Sequence, residues 1–306
     1  MEPRGFNRIE IDKDNGVVTK RSDDRLKLKY EVLFYQNLDE PLGSMMPRLY
    51  GHAEDYSWYQ MEYLDKVNLG DVLAYETPVS LDWEGIFKTL SNLLSVEVPN
   101  HLETTSDSLV SVLSTKSMIR AESLKNGEIR DVFFSGCTLN GVVIPPLISS
   151  LEGSKQIVSQ LNSEITMLHG DMCFSNILVD VNSSELWLVD PRGGFSSPSK
   201  YGPAVYDIAK LSQSVYGLYE QVLAKNYSLS KDGGSYFLKI KRDAAYDEIE
   251  KSFVDSIKHF GIDVKTLVFL AGVMLSGTPP LHMDDEERAL VLSLRASELI
   301  AGSQWR

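Results

Sequence analysis

The hydrophobic period changes once along the chain, and that change restricts the fold more than any other feature. Before it, short runs alternate as strands do. Phe6 to Asp12 and Val17 to Arg21 flank Asn15-Gly16, a dipeptide suited to a type I′ hairpin turn. From about Asp24 to Leu38 the spacing of Leu26, Tyr30, Leu33 and Phe34 predicts one helix packed on that sheet. Pro41 and Gly43 end it, and Arg48 to Glu54 and Tyr56 to Tyr63 read as two further strands, making about four. Asn68 to Leu73 looks like the start of a connecting helix. From Ser80, an expected N-cap for a helix carrying Ile86, Leu90, Leu93 and Leu94, the chain turns to long amphipathic segments. These cover roughly Ser106 to Leu124, Pro146 to Ser163, Val205 to Ala224, Ala244 to Phe260, Val264 to Leu275 and Glu286 to Ala301. The expectation is an α+β fold of two lobes, residues 1–66 forming a small antiparallel sheet with one helix and residues 67–306 a larger, mainly helical lobe. The segment Tyr227 to Ser235, with Lys231, Asp232, Gly233 and Gly234, reads as an exposed loop.

Charge and cysteine content exclude several function classes. With 30 Lys and Arg against 43 Asp and Glu, the net charge of -13 opposes binding to a phosphate backbone, so no nucleic-acid partner is expected. An acidic surface modestly favours cationic substrates such as amines. The two cysteines, Cys137 and Cys173, form no Cys-x-x-Cys or Cys/His cluster, so neither a disulfide framework nor a zinc site is indicated and a reducing cytoplasm fits. The first twenty residues lack the apolar core of a signal peptide. The apolar run Thr266 to Leu275, interrupted by Gly272, is too short to span a bilayer and reads as a buried helix, so no membrane partner is expected.

Chemistry concentrates in the stretch 164–190, where Ile177 to Val179 and Leu186 to Val189 flank an Asn182-Ser183-Ser184 turn in a second hairpin signature. Asp171 and Asn176 lie five residues apart at its mouth, and Asp190 ends its return strand, followed by Pro191, Arg192 and Gly193. Three oxygen-bearing side chains would meet there. Magnesium prefers such hard ligands and is usually held by one or two carboxylates plus substrate phosphates, a role that suits Asn176 and Asp190. Asp171 is then left to accept the proton of an attacking hydroxyl.

The run His169-Gly170-Asp171 with Asn176 and Asp190 resembles the H-G-D-x-x-x-x-N motif and following Asp of aminoglycoside phosphotransferases and choline/ethanolamine kinases, relatives of the protein kinases. The resemblance implies a protein-kinase-like two-lobed fold, ATP and Mg2+ as cofactors, and a small-molecule hydroxyl acceptor such as an amino alcohol, sugar or aminocyclitol, in surface-polysaccharide metabolism among other settings. It makes Asp171 the catalytic residue and Asn176 and Asp190 the metal ligands. His169 would order the loop, and Cys173 would be a small packed residue. Lys20, in its apolar strand, matches the lysine that grips the ATP phosphates, ahead of Lys13, Arg21, Lys27 and Lys29, and Glu31 matches the helix glutamate that holds it. Met61 takes the gatekeeper position, with the Glu62 carbonyl and Leu64 amide reading the adenine edge. Arg192, Asp207 and His282 are candidates for the substrate side, Asp207 also as a brace for the catalytic loop.

Two departures bear on the reading. No loop with several glycines precedes the Lys20 strand; Gly5 and Gly16 stand alone there. Gly170 occupies the place where protein kinases carry an arginine, and no Ala-Pro-Glu follows Asp190, which favours a small acceptor over a protein. A protein kinase and a catalytically silent nucleotide-binding or interaction module are the alternative readings.

Overall fold

The computed structural model describes residues 7–75, 80–98, 109–161, 164–192 and 200–304; Gly5, Phe6, Ser106, Ser163 and Gly193 lie outside them. Strands β1 (Asn7–Asp12) and β2 (Val17–Ser22) form the expected hairpin, with Asp12 opposite Val17. The turn is corrected: Lys13 to Gly16 make a four-residue loop, closed by the Asn15 amide donating to Asp12 Oδ1 at 3.0 Å. Only Gly16 has a positive φ, +66°, whereas a two-residue type I′ turn needs two such residues. Helix α1 (Arg25–Gln36) starts at Asp24, whose side chain accepts from the Lys27 amide. Its buried face is Leu28, Glu31, Val32, Phe34 and Tyr35, rotated from the expected stripe, and Leu26 is exposed. A scan that counts Glu31 as solvent-facing selects the neighbouring stripe, so the buried carboxylate is what misplaces it.

Strands β3 (Leu49–His52) and β4 (Trp58–Glu62) complete an antiparallel sheet of order β1-β2-β4-β3. Lys20 lies opposite Tyr59 and Val18 opposite Met61, and because side chains alternate across a strand these four share one face.

Strand β5 (Val67–Asn68) leads into α2 (Leu69–Ala74), and α3 (Trp83–Leu94) is capped by Asp82, accepting from the Gly85 amide at 2.9 Å, in place of the expected Ser80. A π-helical turn over Ser111–Thr115 runs into α4 (Lys116–Glu122), then α5 (Glu128–Phe134), which was not expected. Strands β6 (Cys137–Leu139) and β7 (Val142–Ile144) precede α6 (Leu147–Ser159). Next come β8 (Ile165–Met167), the expected hairpin β9 (Ile177–Val179) and β10 (Leu186–Leu188), and β11 (Tyr201–Pro203), which pairs with β8. The expected helix from Val205 is broken at Leu218, φ +56°, into α7 (Ala204–Val215) and α8 (Tyr219–Leu223).

The supposed exposed loop from Tyr227 is instead a hairpin of β12 (Tyr227–Asp232) and β13 (Ser235–Ile240), turned at Gly233-Gly234 with both φ values positive. It joins β6 and β7 in a four-stranded sheet, so Tyr236 and Leu238 are buried. Helices α9 (Ala245–Ile257), α10 (Val264–Ser276) and α11 (Glu286–Gln304) finish the chain. The core runs through Phe87, Phe174 and Phe253 to α10 and α11, which approach so closely that a Cβ at Gly272 would meet Ile300 Cγ1 at 2.7 Å. The window Val264–Leu281 is long and apolar enough to cross a bilayer, but 67% of it is buried inside the protein, as the expected core helix requires. The fold is the α+β architecture expected from the sequence, a small antiparallel sheet with one helix beside a larger, mainly helical body.

Candidate active site

The loop between β8 and β9 carries Asp171 and is held from below by buried acceptors. Asp207, on α7, takes the His169 amide at 2.8 Å and the Gly170 amide at 3.0 Å. Ser214 Oγ takes the Phe174 amide at 3.0 Å, and Glu220 Oε1 takes the Ser175 amide at 3.2 Å. Each of these N–H groups would otherwise be buried without a partner, a loss of about 1–3 kcal/mol. Burial pushes the carboxyls of Asp207 and Glu220 up, Glu220 to about 7. His169 is fully buried, and its Nδ1 accepts the Asp171 amide at 3.3 Å. Asn176 donates from Nδ2 to the Asp171 carbonyl at 2.9 Å, so the two residues are fixed to each other through the loop.

Gly170 is set by geometry. Its φ is +80°, and a Cβ there would lie 2.7 Å from Arg192 Cβ. The Arg192 amide donates to the His169 carbonyl at 3.0 Å, so the segment after β10 rests directly on this loop.

A second cluster joins the sheet to this loop. Lys20 Nζ donates to Glu31 Oε2 at 2.7 Å and also to Asp190 Oδ1. Tyr59 donates its hydroxyl to the same Glu31 oxygen at 3.0 Å. Burial alone would depress the Lys20 ammonium; Asp190 and Glu31 override it and keep it charged. Burial would likewise raise Asp190, but Lys20, with Lys27 beyond it, holds that carboxyl below its ordinary value. Asp190 has a φ of +58°, a conformation uncommon outside glycine though tolerated by Asp, and its carboxylate stays 39% exposed. The Asp171 charge works against that of Asp190, which marks their nearness.

Asp171 has a partner that the sequence reading missed. Lys210 Nζ, one turn beyond Asp207 on α7, lies 2.8 Å from Asp171 Oδ1. The spacing of three residues on a helix already under the loop was the available signal. Ser214 and Glu220, the other supports from α7 and α8, were missed as well, since nothing local distinguishes a buried serine or glutamate in a sequence.

A cavity of about 580 Å3 contains Asp171, Asp190 and Arg192 in its walls, together with Glu31 and Lys210. Asn176 is tied to the Asp171 backbone without lining it. Asp207 is fully buried beneath the loop, so its place is that of the brace and not of a substrate contact. His282 is buried with Nε2 3.1 Å from the Tyr219 hydroxyl; Tyr219 and not His282 faces the cavity. Met61 is buried with its Sδ 3.6 Å from the Tyr35 hydroxyl, Glu62 closes β4, and Leu64 follows it. These three sit at the end of the strand beside Lys20, outside the walls of that cavity. Another cavity of about 480 Å3, bounded by Tyr216, Arg242, Glu250 and Arg295, holds none of the site residues expected from the sequence.

Magnesium fits the residues present. Among the described residues no three of His, Cys, Asp and Glu converge in a metal-binding group. The Asn176 carbonyl accepts the amide of Val189, the neighbour of Asp190, at 3.0 Å, which brings one amide and one carboxylate side by side; such a pair is too sparse for a caged metal but is the kind used when substrate phosphates supply the remaining oxygens.

No family signature matches the sequence, and no curated protein matches it. Solved structures do share its fold. A Plasmodium vivax ethanolamine kinase aligns over 98% of this chain and 81% of its own at 13% identity with a TM-score of 0.55. The ADP-bound aminoglycoside phosphotransferase APH(2'')-Ib aligns over 98% and 93% at 12% identity with a TM-score of 0.53. APH(2'')-IIa, in a ternary complex with streptomycin and ATP, aligns over 97% and 92% at 13% identity with a TM-score of 0.50. The chain therefore has the kinase-like fold that its H-G-D motif implies, and it spans most of the length of each of these proteins.

Proposed function

We propose that this chain transfers the γ-phosphoryl group of ATP, with magnesium, to a hydroxyl of a small molecule. The observation that carries the reading is the meeting, in the walls of one cavity, of Asp171 with Glu31 and Asp190, the two carboxylates that hold Lys20. Structures of the same fold hold ADP or ATP, which supports the choice of nucleotide. In this reading the acceptor oxygen bonds to the γ-phosphorus as the bond to the β,γ-bridging oxygen breaks; ADP leaves and the hydroxyl proton passes to Asp171. Lys20, fixed by Glu31 and Tyr59, grips the phosphates. Asn176 and Asp190 would hold the magnesium, which supplies charge neutralisation at the phosphates. Met61, Glu62 and Leu64 flank the adenine, and the four-residue tip Lys13 to Gly16 covers the phosphates in place of a glycine-rich loop. Lys210 positions Asp171. The same reading puts the chain in the cytoplasm, with ATP, and gives it neither nucleic acid nor membrane as partner.

Coupled ADP release over a panel of alcohols, sugars, amines and acids, with and without magnesium, tests this. The expected result is magnesium-dependent ADP release that requires one acceptor and is lost in Asp171→Asn. An acceptor-independent rate equal in parent and Asp171→Asn would contradict it.

A further inference from the structure

The cavity of about 480 Å3 lies at the C-terminal end of α7 and shares no wall residue with the one that holds Asp171. Its volume falls in the range of about 300–1,000 Å3 typical of small-molecule sites. The apolar part of its wall is Val215, Leu218, Val264, Val268 and Leu299, gathered from the end of α7 and from α10 and α11. Charged groups in the wall are paired with each other. Arg242 meets Asp247 and Glu250, both at 2.8 Å, and Arg295 meets Glu298 at 2.5 Å while donating to the Tyr216 carbonyl at 2.7 Å. Lys265 is exposed, where water hydrates and salt screens its charge. An ion entering this space would have to compete with the existing pairs; a neutral molecule would not.

Tyr216 is the exception in that wall. It is only 7% exposed, and its ring packs 6.3 Å from that of Phe253 on α9. Buried tyrosines usually find a partner for the hydroxyl. Among the described residues this hydroxyl makes no hydrogen bond, and it is not sealed from solvent, so it opens into the cavity that the residue lines. Burial, and then the charge of Glu250, push its ionisation up, which keeps the proton on the oxygen and leaves the group a donor. Leu218, in the same wall, holds φ +56°, a left-handed conformation uncommon for a bulky residue and of a kind that clusters at functional sites.

We infer that this cavity is a second binding site, for a neutral amphipathic small molecule: an apolar body with one ketone, amide or ester carbonyl that accepts a hydrogen bond from the Tyr216 hydroxyl. The molecule is neither the nucleotide nor the phosphoryl acceptor, because Asp171, Asp190 and Lys210 line the other cavity. Both spaces draw on one helix, Lys210 and Gln213 facing the first and Val215 the second, which places a bound molecule against the helix that carries Asp207 and Lys210.

Equilibrium dialysis against the full chain tests this with two probes of nearly the same shape, benzophenone, which carries a ketone, and diphenylmethane, which does not. The parent should bind both. Tyr216→Phe removes only the hydroxyl; it should weaken benzophenone by about fivefold, the size of one neutral hydrogen bond, and leave diphenylmethane within about twofold. Val264→Trp fills the cavity from a position that is 46% exposed in the parent, and it should abolish binding of both while the variant still melts cooperatively by circular dichroism. Magnesium-ATP should displace neither probe. Failure of the parent to bind either one overturns the inference, as does equal weakening of both by Tyr216→Phe, or binding that survives Val264→Trp. Displacement by magnesium-ATP would put the probes in the other cavity and overturn it too. Tighter binding of diphenylacetate or diphenylmethylammonium than of benzophenone would refute the neutral class. Each of these results reads the same whether or not the chain transfers phosphate.

Discussion

Gly170→Ala perturbs the junction on which the site depends. The added methyl would lie 2.7 Å from Arg192 Cβ, about 1 Å inside ordinary carbon contact, in a backbone conformation of φ +80°. The left-handed conformation costs a non-glycine residue about 1–2 kcal/mol, and overpacking of this kind about 1–3 kcal/mol more. The Arg192 amide is bonded to the His169 carbonyl at 3.0 Å, so the two segments cannot part without losing that bond. A total near ~3 kcal/mol follows, read by urea denaturation of parent and variant. Arg192→Gly removes the atom that the methyl would strike. In its background Gly170→Ala should cost only the conformational part, ~1 kcal/mol, leaving a coupling of ~2 kcal/mol in the double-mutant cycle. Catalysis should fall by about 100-fold in the single variant, the usual consequence of moving a reacting group by 1 Å. A stability cost below ~0.5 kcal/mol, or the same cost in both backgrounds, would refute the argument that this contact makes glycine necessary.

Other outcomes follow from the same geometry. Asp171→Asn should keep nucleotide binding, measured by calorimetry, and lower phosphoryl transfer by about 100-fold or more, as loss of a general base does. Asp207→Ala leaves the His169 and Gly170 amides buried without an acceptor, at about 1–3 kcal/mol each, and urea denaturation should show a loss of that order. Glu220 is raised by burial from 4.5 to about 7, so the folded state holds its proton more tightly than the unfolded state does. Stability should therefore fall as pH rises from about 4.5 to about 7 and level off above, and Glu220→Gln should remove that slope from a series of denaturation curves.

Much of this site was legible because its pieces are close in sequence. Asp171, Asn176 and Asp190 belong to one loop and hairpin, and Lys20 and Glu31 to one strand and the helix after it, so spacing alone brings each set together. Lys116 and Arg120 lie more than fifty residues before Asp171, on a helix whose packing no local pattern fixes, and their arrival at its cavity could not be read. The four-stranded sheet of β6, β7, β12 and β13 was hidden for a similar reason: β13 pairs in parallel with β6 across about a hundred residues, and the Gly233-Gly234 turn drew attention away from the alternation of Tyr236 and Leu238. Capping was misread by two residues, Ser80 for Asp82, where both residue types suit the role. The stripe on α1 was displaced because a buried Glu31 breaks the rule that charge faces water, and it does so where Lys20 requires it.

The measurement that bears most directly on the central claim is calorimetric titration of parent and Asp190→Ala with ATP, with and without magnesium. The account predicts tighter ATP binding with magnesium in the parent and the loss of that gain in Asp190→Ala. Equal affinity for magnesium-ATP in the two proteins would contradict it.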